Sequence, residues 1–303
     1  MQKTNLAPVC IFTYNRLDVL QETIESLKKN MGAEETSVYI YSDGARGEKD
    51  INDVNDVRKY INTIREGFKS VSIIESPNNK GLAKSVIDGV TEVINRHKKI
   101  IVLEDDLVLS SNFLVYMNAA LDTYEKEERV FSVTGYSKPI KGIKDDVYFT
   151  KRSSSLGWGS WLDRWEKIDW EVKDFNEFIS SRSLQKAFNQ MGSDMTHMLR
   201  KQMDGKINSW AIRWCYHQYK YDLFSVHPTT SKVLHIGNDD RASNASASAD
   251  RFYTILDTGE KLNFNFDKDI KLKNHYLKQF LRNYSITTRV KYRLINLIVK
   301  LIK

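Results

Sequence analysis

The sequence has little of what identifies several large classes of protein. Its 303 residues include only 2 Cys, Cys10 and Cys215, which lie far apart in the chain without ligand-like neighbours. This argues against a disulfide framework or a Cys-based zinc site, and it favours the reducing cytoplasm. No run of about 18 apolar residues occurs, so we expect no membrane-spanning helix. The first residues also lack the apolar run of a signal peptide.

Glycine-rich phosphate-binding motifs are missing as well. No G-x-G-x-x-G or Walker sequence follows a predicted strand, which argues against a dinucleotide enzyme or a P-loop NTPase. A nucleotidyltransferase would need a glycine-rich basic loop after the first strand, and the chain has FTYNRLDV there. The remaining composition, with 41% hydrophobic residues, 28% charged residues and 4 Pro, is that of an ordinary folded protein.

The net charge of +7 is concentrated at one end of the chain. Residues 271–303 contain nine Lys or Arg and no Asp or Glu, whereas the remainder has 37 basic and 39 acidic residues. Helical spacing in this tail puts apolar residues on one face and basic residues on its flank. The apolar set is Ile286, Val290, Leu294, Leu297, Ile298 and Leu301, and the basic set is Arg289, Arg293, Lys300 and Lys303.

This tail pattern predicts an interfacial helix on an anionic membrane surface. The alternatives are a helix docked on the body of the protein or packed against a partner subunit. We expect no nucleic-acid partner, because the stretch matches no recognition motif.

The first half of the chain alternates apolar runs with helical periodicity. Strands are predicted over 8–14, 37–44, 71–74, 99–106 and 129–136, with helical segments between them. The alternation predicts an α/β fold with a mostly parallel sheet covered by helices on both faces. Because the carboxyl ends of parallel strands share one edge, we expect three polar turns to meet there. These turns are Asn15-Arg16, Asp43-Gly44 and Glu104-Asp105-Asp106.

The acidic turn is the strongest chemical signal. Three adjacent carboxylates repel one another unless a cation is present. Hard divalent cations such as Mn²⁺ and Mg²⁺ prefer oxygen ligands and commonly take substrate phosphates as further ligands. The alternative is a solvated turn, which is less expected directly after a buried strand.

Several segments resemble known glycosyltransferases. KIIVLEDDLVLSSNFLVYM is similar to the metal-binding strand of GT-A-fold enzymes, in particular the N-acetylglucosaminyltransferase I family. PVCIFTYNRLDVLQETIESL resembles the nucleotide-binding start of that family and of the inverting family 2. NNKGLAKSVIDGV resembles a segment that follows the third strand in family 2. The resemblance implies a GT-A-like, Rossmann-related fold, and the tail pattern adds a C-terminal amphipathic helix to it.

The resemblance also implies a nucleotide-diphosphate sugar donor, with UDP favoured, and roles for particular residues. Asp106 would ligate Mn²⁺ or Mg²⁺, with His235 as a further metal or phosphate contact. The residues implied for the rest of the donor site are Thr13, Asn15, Arg16, Asp43, Lys80, Lys84, Glu104 and Asp105.

The second half is rich in tryptophan. Trp161 and Trp165 have helical spacing and are predicted to be core residues. Trp158, between Gly157 and Gly159, is predicted to lie in a loop and stack on a sugar, and Trp210 is a second candidate acceptor contact. The segment INSWAIRWCYHQYKYDLFSVHPTTSKVLHIGNDDRASN, which contains Trp210, resembles the acceptor side of bacterial family 2-like transferases.

An inverting transferase needs a carboxylate that deprotonates the acceptor hydroxyl. The resemblance implies such a residue at the start of the SWAIRW helix, where the chain has Asn208 and Ser209. We predict Asp204 or Glu166 as the base. Further candidates are Asp163, Asp169, Asp239 and Asp240. Three explanations stay open: the base has moved, the alignment is shifted by a turn, or the reaction is not inverting.

Three functions are therefore compared. The favoured one is transfer of a sugar to a glycan or lipid-linked acceptor in bacterial surface polysaccharide assembly, at the inner face of the membrane. The others are a non-catalytic sugar-binding protein of transferase descent and a nucleotidyltransferase. We predict a donor half over 1–136, an acceptor half over 137–265 and a basic amphipathic tail over 266–303.

Overall fold

A computed structural model describes residues 6–142, 144–237 and 253–302, the last four by their backbone alone. In chain order the strands are β1 (Val9–Thr13), β2 (Ser37–Ser42), β3 (Ser70–Glu75), β4 (Lys99–Glu104), β5 (Leu107–Leu109), β6 (Val130–Thr134), β7 (Val147–Thr150), β8 (Trp158–Trp161), β9 (Phe224–Pro228) and β10 (Val233–His235). The five strands predicted in the first half are β1, β2, β3, β4 and β6.

Helices connect most of these strands. They are α1 (Leu17–Lys28), α2 (Ile51–Ile61), α3 (Leu82–His97), α4 (Phe113–Tyr124), α5 (Leu162–Trp165), α6 (Phe175–Ser180), α7 (Arg182–Phe188), α8 (Met195–Met203), α9 (Trp210–Lys220), α10 (Asn274–Arg282) and α11 (Ile286–Ile302). None of the described helices is long and apolar enough to cross a membrane.

The large sheet has the strand order β3-β2-β1-β4-β8-β6-β9-β7. The neighbours β3–β2, β2–β1, β1–β4 and β6–β9 are parallel, and the pairs that involve β8 or β7 are antiparallel. The predicted mostly parallel α/β sheet is thus confirmed. The carboxyl ends of β1, β2 and β4 lie side by side at one edge, as right-handed crossovers require.

Alternation along β1 explains why both faces of the sheet are covered. Val9 and Ile11 belong to a core that also contains residues of α1, α2 and α4. Cys10 and Phe12 point the other way, into a core built with α3 and α9. Successive side chains of a strand face opposite sides, so each core receives every second residue. The buried Cys10 is a packing residue, and burial raises the pKa of its thiol well above the ordinary value.

The strand β8 corrects one prediction. Residues 157–159 were expected to form a loop, but β8 lies antiparallel between β4 and β6. Gly159 permits this, because a Cβ there would lie 2.8 Å from the carbonyl oxygen of Ile100. The second half therefore contributes β7, β8 and β9 to the sheet that the first half begins.

Candidate functional site

The polar turns at the carboxyl ends of β1, β2 and β4 surround a cavity of about 430 Å³, here called the donor cavity. It combines side chains that are far apart in the sequence. Those predicted from sequence that line it are Thr13, Asn15, Arg16, Asp43, Glu104, Asp105, Asp106 and His235. Tyr14, Arg46, Asn79 and Gly237 also line it, although sequence reasoning did not select them.

Asp105 ties the turn after β4 to the turn after β1. Its carboxylate accepts hydrogen bonds from the Thr13 hydroxyl at 3.0 Å and from the Tyr14 backbone N–H at 3.3 Å. Arg16 Nη2 lies 2.6 Å from an oxygen of Asp105 and 2.6 Å from an oxygen of Asp106. Burial raises the pKa of Asp105, the Arg16 cation opposes that rise, and the Asp106 charge adds to it. One guanidinium thus holds two adjacent carboxylates in place.

Asp106 lies next to His235 in the wall of the donor cavity. The pair β5–β10 sets this arrangement, since His235 lies opposite Leu107 in the antiparallel register. His235 Nε2 is 3.4 Å from Asp106 Oδ2. Burial favours a higher pKa for Asp106, but the hydrogen bond from His235 and the Arg16 charge outweigh it and lower the pKa. Asp106 is therefore the carboxylate of the cluster that is most readily charged.

The donor atoms of Asp106 and His235 fit two positions around one divalent cation. Neighbouring ligands of an octahedral ion at about 2.1 Å lie about 3 Å apart, and the two atoms are 3.4 Å apart. In the described parts of the chain, no three His, Cys, Asp or Glu side chains are arranged to hold a metal ion. Such an ion would thus need further ligands, which water and phosphate oxygens commonly provide.

Gly237 keeps space open beside this pair. A Cβ at position 237 would lie 2.0 Å from Asp106 Oδ2 and 2.7 Å from Arg16 Nη1. Any side chain there displaces the carboxylate or the guanidinium. The only sequence signal for this role is the position of Gly237, two residues after His235.

We expect Gly237→Ala to weaken metal-supported nucleotide binding about ten- to hundredfold, as is typical when the groups that orient a ligand are disturbed. Gly47→Ala is the matched control, because nothing lies within 4 Å of a Cβ at that position. Isothermal titration calorimetry measures both. Equal affinities for the two variants would show that the space beside Asp106 is unimportant.

Glu104 is the last residue of β4 and lines the donor cavity. Burial raises its pKa to about 8, with further rises from the charges of Asp106 and Asp105. The folded chain therefore keeps a proton on Glu104 that the unfolded chain releases at its ordinary pKa of 4.5. Between these two pH values the folded state binds more protons, so stability falls as the pH rises.

We expect Glu104→Gln to remove this pH dependence. In the presence of a chelator, the melting temperature of the variant should exceed that of the wild type above pH 8 and approach it below about pH 5. Glu66→Gln, at an exposed carboxylate, serves as the control. A difference that stays constant from pH 5 to 9 would contradict the raised pKa of Glu104.

Asp43 holds the loop before α3 against the end of β2. Its carboxylate accepts backbone N–H groups of Gly44, Lys80 and Gly81 at 2.8–2.9 Å. Lys80 and Lys84, predicted to contact the donor, instead place their ammonium groups 3.8 and 2.9 Å from Asp88. Neither lines the donor cavity. Lys80 is exposed in the loop before α3, and Lys84 is exposed in the first turn of that helix, where Ala83 is buried instead.

A second cavity of about 880 Å³ adjoins the first, and we call it the acceptor cavity. Residues that line both cavities mark the boundary, and they are Leu82, Glu104, Ile207, Asn208 and His235. Asn208, where the family resemblance implied a base, lies at this boundary. Trp210, a predicted acceptor contact, borders the acceptor cavity, but its side chain is 2% exposed and packs in the same core as Trp158.

The two predicted catalytic carboxylates lie elsewhere. Asp204 ends α8 and pairs with Lys206 at 2.8 Å, and Glu166 is exposed after α5. Neither lines either cavity. Asp163 binds Arg164, and Asp169 accepts backbone N–H groups of its own turn. The remaining candidates, Asp239 and Asp240, lie outside the described residues.

Trp158 is a core residue and not a sugar contact. Its side chain is 1% exposed, because β8 places it in the core between the sheet and α9. Its ring centroid lies 4.4 Å from that of Trp214 and 5.0 Å from that of Trp210. Trp161 and Trp165 are buried as predicted.

Comparison with known proteins identifies one family by sequence. The model of glycosyl transferase family 2 matches residues 9–181, more than half of the chain. A search of curated proteins finds no match. The resemblance to the N-acetylglucosaminyltransferase I family stays a prediction.

Solved structures give weaker likenesses. TarS of S. aureus has a TM-score of 0.32 and 15% identity over 45% of this chain and 23% of its own. An active-site mutant of LgtC has a TM-score of 0.36 and 11% identity, and the match covers 56% of this chain and 64% of LgtC. UDP-glucose pyrophosphorylase complexed with UDP-glucose has a TM-score of 0.38 and 12% identity, and the match covers 76% of this chain and 93% of the pyrophosphorylase. The chain thus spans less than two thirds of TarS and of LgtC. Since all three TM-scores are below 0.5, the family assignment rests on the family model.

Proposed function

The chain belongs to glycosyl transferase family 2 and is a glycosyltransferase, and from this premise we propose that it uses a nucleotide-diphosphate sugar, with UDP favoured. The observation that supports the proposal most is the donor cavity itself. Eight side chains from three strand ends and β10 meet there, in the crevice where open α/β sheets bind ligands.

Charge and hydrogen bonding favour a diphosphate in this cavity. Arg16 Nη1 is buried and makes no hydrogen bond to the described residues. A buried N–H of this kind is costly unless it finds an acceptor, and a phosphate oxygen provides one with opposite charge. We therefore assign the diphosphate to the region of Arg16, Asp106 and His235, and the nucleoside to the region of Asn15 and Asp43.

We propose that Mn²⁺ or Mg²⁺ assists the reaction. Asp106 and His235 would hold the ion, and the donor diphosphate would complete its ligands. The chemistry supplied is that of a Lewis acid, which stabilises the charge that develops on the departing nucleoside diphosphate. Arg16 adds a second positive charge beside Asp106.

The acceptor hydroxyl, on a glycan or a lipid-linked sugar, would enter from the acceptor cavity. Inversion needs a carboxylate at the boundary of the cavities. Of the described carboxylates that line the acceptor cavity, Asp194 is bound to Arg152 at 2.8 and 3.2 Å, which leaves Glu104. We therefore propose Glu104 as the base, in place of Asp204 and Glu166. A cation on Asp106 would favour the charged form of Glu104, which is the form that accepts a proton.

Turnover tests this proposal. We expect the chain to release nucleoside diphosphate from one class among UDP-, GDP- and dTDP-sugars when Mn²⁺ is present. This release should stop when EDTA is added. Glu104→Gln should bind the same donor but lose transfer to the acceptor. If no nucleotide sugar binds with or without metal, the acidic cluster is a solvated turn and the proposal fails.

One alternative keeps a specific observation in its favour. Asn208 occupies the expected base position at the boundary of the cavities, and an amide cannot accept the proton. A non-catalytic sugar-binding protein would bind the donor in the same cavity without releasing nucleoside diphosphate. The turnover assay separates the two.

The cellular setting belongs to the proposal as well. We propose a role in bacterial surface polysaccharide assembly at the cytoplasmic face of the membrane. The apolar stripe of α11 supports it, since its residues are 50–65% exposed. They are Ile286, Val290, Leu294, Leu297 and Ile298.

A further inference from the structure

The acceptor cavity is partly built by the amphipathic helix at the end of the chain. Ile286, Arg289, Val290 and Arg293 of α11 line it. Tyr136 and Ser153 also line this cavity, and they precede the α11 residues by more than 130 positions in the sequence. The helix and the candidate acceptor site are therefore one structure and not a body with a detached tail.

Specific contacts fix the start of α11 at this wall. Ser193 donates its hydroxyl to the Tyr284 carbonyl at 2.9 Å, and Arg289 Nη1 donates to the Ser193 hydroxyl at 3.0 Å. The buried Arg152 guanidinium lies 3.8 Å from the Tyr284 ring centroid while it binds Asp194. These contacts orient the first two turns of α11, so the positions of Arg289 and Arg293 at the cavity follow from packing.

The cavity wall next to α11 carries uncompensated positive charge. Lys201, Arg289 and Arg293 line the cavity, and within the described ranges none of them has a carboxylate within salt-bridge distance. The nearby Asp194 is already bound to Arg152. Cations that face a cavity without a carboxylate partner raise the local concentration of anions and bind phosphate oxygens readily.

An apolar surface continues from the cavity along the helix. Ile286 and Val290 both line the cavity and stay exposed, at 65% and 50%. Leu294, Leu297 and Ile298 extend the same face, since residues three and four apart are neighbours on a helix. Arg293 flanks this face at the cavity and Lys291 flanks it on the other side. An amphiphile with an anionic head would meet the cations and the apolar face in one orientation.

We propose that the acceptor is a lipid-linked sugar, that Arg289 and Arg293, with Lys201, bind its phosphate, and that the apolar face of α11 enters the membrane surface beside it. This inference rests on the proposed glycosyl transfer and narrows its acceptor from any glycan to a phosphate-bearing lipid. It also gives α11 a function in substrate binding, because the helix supplies both the phosphate contacts and the membrane contact. The chain has no acidic residue in 271–303 that would oppose an anionic surface.

Vesicle flotation with the full chain tests whether Arg289 and Arg293 bind a lipid phosphate. The probes are phosphatidylcholine vesicles with and without roughly one fifth phosphatidic acid, a lipid with an exposed phosphate. We expect Arg289→Gln combined with Arg293→Gln to lower binding to the phosphatidic acid vesicles at least tenfold. The matched control, Lys278→Gln with Lys291→Gln, removes two charges from exposed positions outside the cavity and should lose much less. Equal losses would indicate a general electrostatic attraction and overturn the phosphate site.

Two further measurements distinguish binding to the lipid from binding to its phosphate alone. Val290→Ser combined with Leu294→Ser should abolish flotation, whereas Ile51→Ser, at an exposed apolar residue of α2, should not. Inorganic phosphate and a short-chain soluble phosphatidic acid are titrated as competitors. If inorganic phosphate binds as tightly as the vesicles, or if the Val290 and Leu294 variant still floats, the lipid acceptor is excluded. Binding to a lysate protein through the same face, with no flotation, would also overturn it.

Donor binding, measured on the same preparation, shows which idea has failed. A chain that binds a nucleotide sugar but shows no arginine-dependent flotation contradicts the lipid acceptor alone. A chain that floats through Arg289 and Arg293 but binds no nucleotide sugar contradicts the proposed function and leaves a phosphate-lipid site without a transferase.

Discussion

Asp106→Asn is expected to weaken nucleotide binding in the presence of Mn²⁺ about a hundredfold or more, which corresponds to about 2.7 kcal/mol. The asparagine keeps the size of the side chain but carries no charge, so it ligates a divalent cation poorly. The carboxylate of Asp106 is also the group that faces both His235 and Arg16. Loss of its charge therefore removes the ion and not just one contact.

The same variant should behave differently without metal. A diphosphate and the Asp106 carboxylate repel each other, so metal-free nucleotide binding by Asp106→Asn should equal or exceed that of the wild type. Calorimetric titrations with Mn²⁺ and with EDTA measure both effects. Asp88→Asn is the matched control, since this carboxylate pairs with Lys84 on the exposed side of α3. Equal losses with and without metal would contradict a metal role for Asp106.

Trp158→Ala is expected to destabilise the chain by about 3–5 kcal/mol, the usual cost of deleting a large aromatic side chain from a core. Trp158 is fully buried and contacts Trp165, Trp210 and Trp214. A loss of that size is a large part of the total stability of a typical domain. The melting temperature should therefore fall by roughly 10 °C.

The affinity for the donor should stay unchanged in the fraction of Trp158→Ala that remains folded. Trp170→Ala, at the partly exposed edge of the same cluster, is the control and should cost less. A normal melting temperature combined with a higher KM for the acceptor would instead support the sugar-stacking role that the sequence predicted for Trp158.

Local sequence patterns were sufficient to predict five strands of the first half, though not the short β5, and the convergence of their polar ends. The prediction needs only neighbouring residues, because each short apolar run is followed directly by its polar turn, and the handedness of crossovers does the rest. The turns are Asn15-Arg16, Asp43-Gly44 and Glu104-Asp105-Asp106. The site residues contributed by these turns therefore line one cavity. His235 lines it too, and it was found through the resemblance.

Other parts of the site depend on contacts that no local pattern contains. The small Gly159 permits β8 to insert between β4 and β6, which buries Trp158, and a glycine beside tryptophan is equally typical of a loop. The Asp43 carboxylate binds backbone N–H groups of the loop that contains Lys80, and the side chains of Lys80 and Lys84 point to Asp88. The roles of Arg289 and Gly237 arise from tertiary packing across more than 90 residues.

A crystal of the full chain soaked with UDP and Mn²⁺ tests the central claim most directly. The account predicts an anomalous Mn²⁺ peak at about 2.0–2.5 Å from the Asp106 carboxylate, with the diphosphate beside Arg16 and the uracil toward Asp43. UDP bound outside the donor cavity, or Mn²⁺ bound away from Asp106 while UDP occupies the cavity, would contradict it.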